Sequence, residues 1–211
     1  MLDIGWMKIL TAVGMLAFLA VGIRYIKLSR VRKSDDRMPT PYRPLALVTV
    51  TFDRIFIVTS VVYASIFLFW GYSYRIIYFS CVLDLPLQLI GIVLSIVGLL
   101  VSWWAIASFG EFNEPRWAHL KHGHEIVKVG PYHYIRHPQY AAKLLASLGL
   151  LLFFKEFLFL FVFLSSALLF YFQATSEEKL LTQVFGDAYK IYQSTTGMFL
   201  PLLLIQWTKD S

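Results

Sequence analysis

The sequence of 211 residues contains little cysteine and little charge. Its single cysteine, Cys81, excludes an internal disulfide bond and any metal site built from cysteines. Only 15% of the residues are charged and 58% are hydrophobic, whereas soluble domains carry about 25% charged residues. This composition is typical of a membrane protein. The net charge of +6 is therefore better explained by basic loops on one side of a membrane than by nucleic-acid binding.

Long apolar runs predict an all-α, multi-pass integral membrane protein with about five membrane segments. A single membrane domain is expected over residues 1–211, with N-terminal spans in residues 1–85 and the core in residues 86–201. The predicted segments are residues 9–23, the stretch between Arg54 and Arg75, residues 86–107, and a hairpin of two compact helices within residues 143–173 that turns at Lys155 and Glu156.

Basic residues flank the first apolar run on its C-terminal side. By the positive-inside rule, the N-terminus is expected outside and residues 24–45 in the cytosol. Residues 109–137 and the C-terminal tail then face the cytosol as well, and residues 177–193 are predicted to form an amphipathic helix there. The pattern does not distinguish a plasma or inner membrane from the endoplasmic reticulum.

All five histidines lie between His119 and His137. A metal site on His119, His122 and His124 would have irregular ligand spacing, a glycine within it and no cysteine ligand. Solvated loop histidines explain this group better, so no metal is predicted.

Two short motifs predict complementary charges on the cytosolic side. In the segment RHPQY, His137 is expected to be a helix N-cap and Pro138 the first helical residue. The helix start, with Arg136 and His137 beside it, suits an anionic group. Glu177 and Glu178 follow the apolar hairpin directly, and a carboxylate there could hold an ammonium group. A ligand with a zwitterionic amino-acid group would satisfy both, although an ordinary interfacial helix cap explains the first motif about equally well.

The segment GPYHYIRHPQY, followed by EEKLLTQVFGDAYKIY and a later proline, resembles the isoprenylcysteine carboxyl methyltransferase and phospholipid methyltransferase superfamily. The resemblance covers roughly residues 100–201. It implies a helical membrane enzyme that binds S-adenosyl-L-methionine without a Rossmann domain. The absence of a G-x-G-x-x-G motif after a strand agrees with this.

The resemblance also implies roles for individual residues. Glu177, His137 and Arg136 are the expected catalytic residues, with His137 or Glu177 accepting a proton if the methyl acceptor is an amine. The carboxyl methyltransferases have a substrate-binding arginine where this chain has Gln173, which cannot pair with a carboxylate by charge. The implied cofactor contacts are His124, Glu125, Ile126, Val127, Tyr132, His137, Pro138, Gln139, Tyr140 and Glu177.

The expected function is methyl transfer to a lipidic substrate, most like that of isoprenylcysteine carboxyl O-methyltransferase. A phospholipid or another small lipophilic N- or S-methyl acceptor is the alternative within this class. An NADPH-dependent sterol-reductase-like enzyme and a non-catalytic membrane scaffold are alternatives from other classes. The expected partners are a lipophilic or prenylated substrate and membrane lipids, with no nucleic acid and no obligate protein partner.

Overall fold

A computed structural model of the protein describes residues 3–30, 37–39, 43–70, 82–109, 119–121 and 126–202. These residues are almost entirely helical, as predicted. Five long helices are joined by short elements. In chain order the elements are α1 (Ile4–Arg30), β1 (Arg37–Pro39), α2 (Arg43–Trp70), α3 (Asp84–Phe109), β2 (His119–Lys121), a 3-10 helix (Gly130–His133), α4 (Pro138–Phe154), α5 (Phe157–Phe185) and α6 (Asp187–Thr195).

Two of the described helices, α3 and α5, are long and apolar enough to cross a membrane. Only 22% of the most apolar window of α3 and 33% of that of α5 is buried inside the protein. A core helix of a soluble protein would bury most of this surface, so the outward apolar faces indicate contact with lipid. Shorter apolar helical stretches cover residues 4–17, 61–70 and 138–154.

The predicted hairpin turn at Lys155 and Glu156 is confirmed, because α4 ends at Phe154 and α5 begins at Phe157. Lys155 adopts a left-handed conformation with φ 55° and donates its backbone N–H to the carbonyl oxygen of Leu151. Its buried ammonium group pairs with Asp84 at the start of α3, 2.5 Å away. The start of α3 and the end of α4 therefore meet at one end of the bundle.

Small residues allow α3 and α4 to pack closely along their length. A Cβ atom added to Gly149 of α4 would lie 2.3 Å from Ser95 Oγ and 2.6 Å from the carbonyl oxygen of Gly91, both on α3. Such close backbone approach through glycine and serine is common between membrane helices. It holds the first residues of α4 beside the last residues of α3.

The main aromatic cluster lies at the hairpin end of the bundle. Tyr63 of α2 makes edge-to-face contacts with Phe154 and Phe159, at centroid distances of 5.1 and 5.0 Å. Met7 of α1 and Phe67 of α2 are buried in the same cluster. These contacts attach the first two helices to the α4–α5 hairpin.

At the opposite end, β1 and β2 form an antiparallel pair in which Met38 lies opposite Leu120. The chain after α1 and the chain after α3 therefore meet at the same end of the helices. The expectation that residues 24–45 and 109–137 share one side of the membrane stays a prediction.

The predicted single amphipathic helix over residues 177–193 is wrong. The segment begins inside α5, which continues to Phe185, and the rest lies in α6. Gly186, with φ 55°, ends α5 because glycine adopts this backbone region at little cost. Within this segment, Ala188 is exposed, whereas Tyr189 is buried.

Candidate functional site

The loop before α4 is fixed against the end of α3 by Gly130. Its φ is +62°, and a Cβ atom there would lie 2.0 Å from Ser108 Oγ and 3.1 Å from Trp104 Nε1. A larger residue would be both strained and sterically blocked. Gly130 thus allows the following 3-10 helix to bury Tyr132.

The start of α4 has the predicted form, with His137 at the N-cap and Pro138 as the first helical residue. The segment after α6 runs alongside it, since Ile135 and Gly197 form a parallel bridge. Arg136 donates its backbone N–H to the Gly197 carbonyl oxygen at 2.8 Å, and His137 donates to that of Met198 at 3.1 Å. The helix start is therefore enclosed on one side by the C-terminal part of the chain.

The part of α5 that begins at Phe170 provides the facing surface. Its more buried residues are separated by three or four positions, which places them on one side of the helix toward α4. These residues are Phe170, Gln173, Ala174 and Glu178, and the half-buried Glu177 lies next to them.

Glu178 connects α5 to two cationic side chains and to α6. Its Oε1 accepts a hydrogen bond from Arg136 Nε at 2.7 Å and lies 3.1 Å from His137 Nε2. Its Oε2 accepts from Gln193 Nε2 at 2.9 Å. Arg136 also donates to the backbone carbonyl oxygens of Gln193 and Thr196. This set of contacts joins three separate parts of the chain.

Glu177 has mostly neutral partners. Its Oε1 accepts hydrogen bonds from the Tyr140 hydroxyl at 2.5 Å and from Gln173 Nε2 at 3.2 Å. Its Oε2 lies 3.4 Å from His137 Nδ1. Glu177 therefore has a weaker cationic partner than Glu178, and it is the carboxylate better suited to hold a cationic ligand group.

His137 lies between the two carboxylates and is buried. Burial lowers its pKa, but the hydrogen bonds and negative charges of Glu177 and Glu178 together outweigh burial and raise the pKa above its ordinary value of 6.5. The protonated ring donates from both nitrogens and, together with Arg136, balances the two carboxylate charges.

An aromatic stack lies next to these charges. The rings of His137 and Tyr140 are nearly parallel with centroids 5.6 Å apart, and those of Tyr140 and Phe170 are 5.0 Å apart. Lys143 Nζ lies 5.2 Å from the Phe170 ring centroid and 5.9 Å from that of Tyr140. The stack thus offers aromatic faces suited to a cation.

A second group of hydrogen bonds holds the loop to α4 and α6. Gln139 Nε2 donates to the Tyr132 hydroxyl at 3.1 Å, and the Tyr192 hydroxyl donates to the Tyr132 carbonyl oxygen at 2.5 Å. Burial raises the pKa of Tyr192 to about 12, so its hydroxyl stays protonated and can donate at neutral pH.

The structure brings most of the predicted site residues together at the α4 start. Ile126 and Val127 are half-buried in the chain that leads to Gly130, and Pro138 is buried. His124 and Glu125 lie outside the described residues, as does His122. No group of three His, Cys, Asp or Glu that could hold a metal occurs in the described part of the chain.

Arg136 and His137, which were predicted to be donors to a ligand anion, have partners within the protein. Both bind carboxylates of α5, because folding places Glu177 and Glu178 against them. Sequence reasoning gave no role to Phe170 or Gln193, and it named Glu178 only beside Glu177 as a carboxylate that could hold an ammonium group. Helical spacing from Glu177 identifies Phe170, whereas nothing local predicts that Gln193 folds back onto Glu178.

Residues 87–188 match the family model of phospholipid methyltransferase. These residues form a phospholipid methyltransferase domain. The domain belongs to the isoprenylcysteine and phospholipid methyltransferase superfamily, as the resemblance implied. No curated protein matches the sequence.

The methyltransferase domain includes most of α3, all of α4 and α5, and both carboxylates of the site. Gln193 and Thr196, which bind Glu178 and Arg136, lie just beyond it. Enzymes of this family methylate lipids in membranes and typically use S-adenosyl-L-methionine. Together with the apolar helices α3 and α5, the domain indicates a membrane-associated methyltransferase.

Proposed function

We propose that the protein is a multi-pass membrane enzyme that binds S-adenosyl-L-methionine and methylates a lipid. The observation that carries this proposal is the position of Glu177 inside the methyltransferase domain. Its carboxylate is directed by Tyr140 and Gln173, lies beside an aromatic stack, and stands within α5 just after the apolar part of that helix. A carboxylate held in this way at a membrane edge is costly unless it binds a cationic group.

The side chains present fit the proposed cofactor. Glu177 would hold its ammonium group, and Tyr140 with Phe170 would offer ring faces to its sulfonium. Tyr132 and Gln139 add polar groups on the adjoining loop and helix. When bound, the cofactor would supply a methyl group attached to a positively charged sulfonium sulfur. The leaving group of the transfer would be the remaining neutral thioether.

The remaining site residues position these groups and control protons. Arg136 and a protonated His137 balance the charges of Glu177 and Glu178, so the bare site is close to neutral. His137 holds its own proton between two carboxylates and is therefore a poor base. If the methyl acceptor is an amine, Glu177 is the proposed proton acceptor. Alignment and exclusion of water supply most of the catalysis.

The contacts of Gln173 help to indicate which group accepts the methyl. This side chain is fully buried, and its amide donates to Glu177. It therefore orients the carboxylate and brings no positive charge to the substrate. This arrangement favours a phospholipid head group methylated on an amine. The carboxylate of an isoprenylcysteine is the second candidate, supported by the motifs GPYHYIRHPQY and EEKLLTQVF in the matched domain.

Calorimetric titration with S-adenosylhomocysteine tests the cofactor assignment in the full-length, detergent-solubilised protein. We expect saturable binding that Glu177→Gln weakens at least about tenfold, because a charge-assisted hydrogen bond contributes about 1.5–3 kcal/mol. Asp187→Asn is the matched control, since this exposed carboxylate pairs only with Lys190 among the described contacts. It should leave the affinity unchanged.

NADPH is titrated in parallel. Binding of NADPH without S-adenosylhomocysteine would replace the methyltransferase proposal with a reductase. Equal affinity of wild type and Glu177→Gln for S-adenosylhomocysteine would remove Glu177 from the cofactor site. A Glu178→Gln variant separates cofactor binding from stabilisation of the fold. Its main expected effect is a lower unfolding temperature, because Arg136 and His137 lose their shared partner.

A further inference from the structure

We propose that Phe199 contacts the sulfonium of the cofactor and helps the site to distinguish S-adenosyl-L-methionine from its neutral thioether product. The inference rests on the proposed methyltransferase function and adds a binding residue to that site. Phe199 lies outside the matched domain of residues 87–188. Its role follows from the way in which the segment after α6 folds back onto the start of α4.

Backbone contacts hold the segment after α6 beside the start of α4. Gly197 forms a parallel bridge with Ile135, and its carbonyl oxygen accepts a hydrogen bond from the backbone N–H of Arg136 at 2.8 Å. The carbonyl oxygen of Met198 accepts one from the backbone N–H of His137 at 3.1 Å. The next residue of the chain is therefore fixed close to the first turn of α4.

The chain bends tightly after Gly197, and this bend determines which side chain faces the site. A Cβ atom on Gly197 would overlap the carbonyl oxygen of Leu200. Glycine allows such a close approach of one backbone segment to another. Leu200 is 60% exposed, whereas Phe199 is half-buried. The bend thus directs Phe199 toward the protein and Leu200 away from it.

Phe199 meets the aromatic stack at an angle. The rings of His137, Tyr140 and Phe170 are nearly parallel, with interplanar angles of 12° and 10°. The Phe199 ring is tilted by 59° to that of His137, with centroids 6.1 Å apart, and it packs against the cluster of Tyr140, Phe170 and Ala174. Ring faces of different orientation form a corner suited to a cation, as in the aromatic cages that bind quaternary ammonium groups.

A carboxylate that would hold a cationic ligand lies next to this corner. Glu177 accepts a hydrogen bond from the Tyr140 hydroxyl at 2.5 Å, and its other oxygen lies 3.4 Å from His137 Nδ1. If Glu177 holds the ammonium group of the cofactor, the sulfonium comes within reach of the same rings, because a short carbon chain joins the two groups. A ring face attracts the sulfonium and offers no such attraction to a neutral thioether. Loss of the methyl group therefore favours release of the product.

Binding of the charged and neutral forms of the cofactor tests the proposal without turnover. S-adenosylmethionine and S-adenosylhomocysteine are titrated calorimetrically into the full-length, detergent-solubilised protein without an acceptor lipid, and the ratio of the two dissociation constants is compared between variants. Phe199→Leu should shift this ratio about fivefold against S-adenosylmethionine, while the affinity for S-adenosylhomocysteine changes little. Phe199→Tyr should keep the wild-type ratio, because it retains the ring.

Further variants separate the electrostatics of the ring from its packing. Pentafluorophenylalanine at position 199 keeps the shape of the ring and removes the negative potential of its face, so it should shift the ratio in the same direction as Phe199→Leu. Phe161→Leu is the matched control, because Phe161 is 69% exposed on α5. It should leave the ratio unchanged. Unfolding temperatures show whether each variant is folded.

An unchanged ratio in folded Phe199→Leu, or in the pentafluorophenylalanine variant, would overturn the proposal. Equal losses of affinity for both ligands have the same meaning, since they indicate that Phe199 only packs against the site. Failure of wild type to bind S-adenosylhomocysteine would instead reject the proposed function, which is a distinguishable result.

Discussion

At the residue scale, two adjacent glutamates of α5 have different surroundings. Glu178 is bound by Arg136, His137 and Gln193, which come from the loop before α4 and from α6. Glu177 is bound chiefly by the neutral donors Tyr140 and Gln173. The first arrangement stabilises the fold by neutralising charge. The second leaves Glu177 with capacity to bind a cationic ligand.

The raised pKa of His137 predicts pH-dependent stability. Below about pH 6.5 the imidazolium is present in both the folded and unfolded chains, and its contacts with Glu177 and Glu178 contribute fully. As pH rises through the higher pKa of the folded state, the proton is lost and so is this contribution. We therefore expect the unfolding temperature in detergent to fall as pH rises above 6.5.

Replacement of His137 provides the control for the predicted pH dependence of the unfolding temperature. His137→Gln should flatten the pH dependence, whereas His133→Gln, at an exposed position in the 3-10 helix, should preserve it. Parallel pH profiles of wild type and His137→Gln would assign the effect to another group.

At the element scale, the site depends on how closely α3 and α4 approach. Gly149 contacts Ser95 and Gly91 at distances that leave no space for a side chain. The same helix pair holds Gly130 and its loop against Ser108 and Trp104. The end of α3, the loop and the start of α4 are thereby fixed relative to one another, which determines the position of His137.

Gly149→Ala should destabilise the protein by roughly 1–3 kcal/mol, the usual range for overpacking a close contact. Its added methyl group would meet Ser95 Oγ at 2.3 Å and force the helices apart. Gly14→Ala in α1 is the matched control, because a Cβ atom there meets nothing within 4 Å. That variant should be neutral or more stable by up to about 1 kcal/mol through helix propensity. Thermal unfolding of both variants measures the difference, and equal stability would show that the helices separate at little cost.

At the scale of the whole molecule, the two ends of the helix bundle have different chemistry. One end carries the hairpin turn, the aromatic cluster around Tyr63 and the buried Lys155–Asp84 pair. The other carries the carboxylates, Arg136 and His137. Because α3 and α5 are each long enough to cross a membrane, the two ends are expected to lie on opposite sides.

The proposed orientation places the carboxylate end in the cytosol and the N-terminus outside. In a Cys81→Ser background, Val82→Cys introduces a thiol at a fully exposed position beside the start of α3, and Lys190→Cys introduces one on exposed α6. In intact cells, a membrane-impermeant maleimide should label only position 82. Position 190 should become reactive after permeabilisation. Labelling of both positions from one side would contradict a crossing between them, and the reverse pattern would invert the orientation.

Much of the architecture could be predicted from the chain itself, because it rests on local rules. Apolar runs predict helices, a polar pair within an apolar run predicts a turn at Lys155, and a proline preceded by His137 predicts the start of α4. The resemblance identified the methyltransferase domain and selected Glu177, Tyr140 and Gln173. The prediction of one helix over residues 177–193 was wrong because the first part of this segment belongs to α5, the helix that also contains the preceding apolar run. Periodicity cannot reveal where one helix stops and another begins.

By itself, the sequence determined a membrane-helical methyltransferase domain whose histidine and carboxylate motifs lie near the ends of two apolar segments. Only the tertiary structure decided which charges pair. It showed that Arg136 and His137 bind Glu178 and that Lys143 lies over Phe170. The physical reason is that ion pairs and ring contacts act over a few ångströms in space. Residues that are distant in the sequence come this close only after the helices have packed.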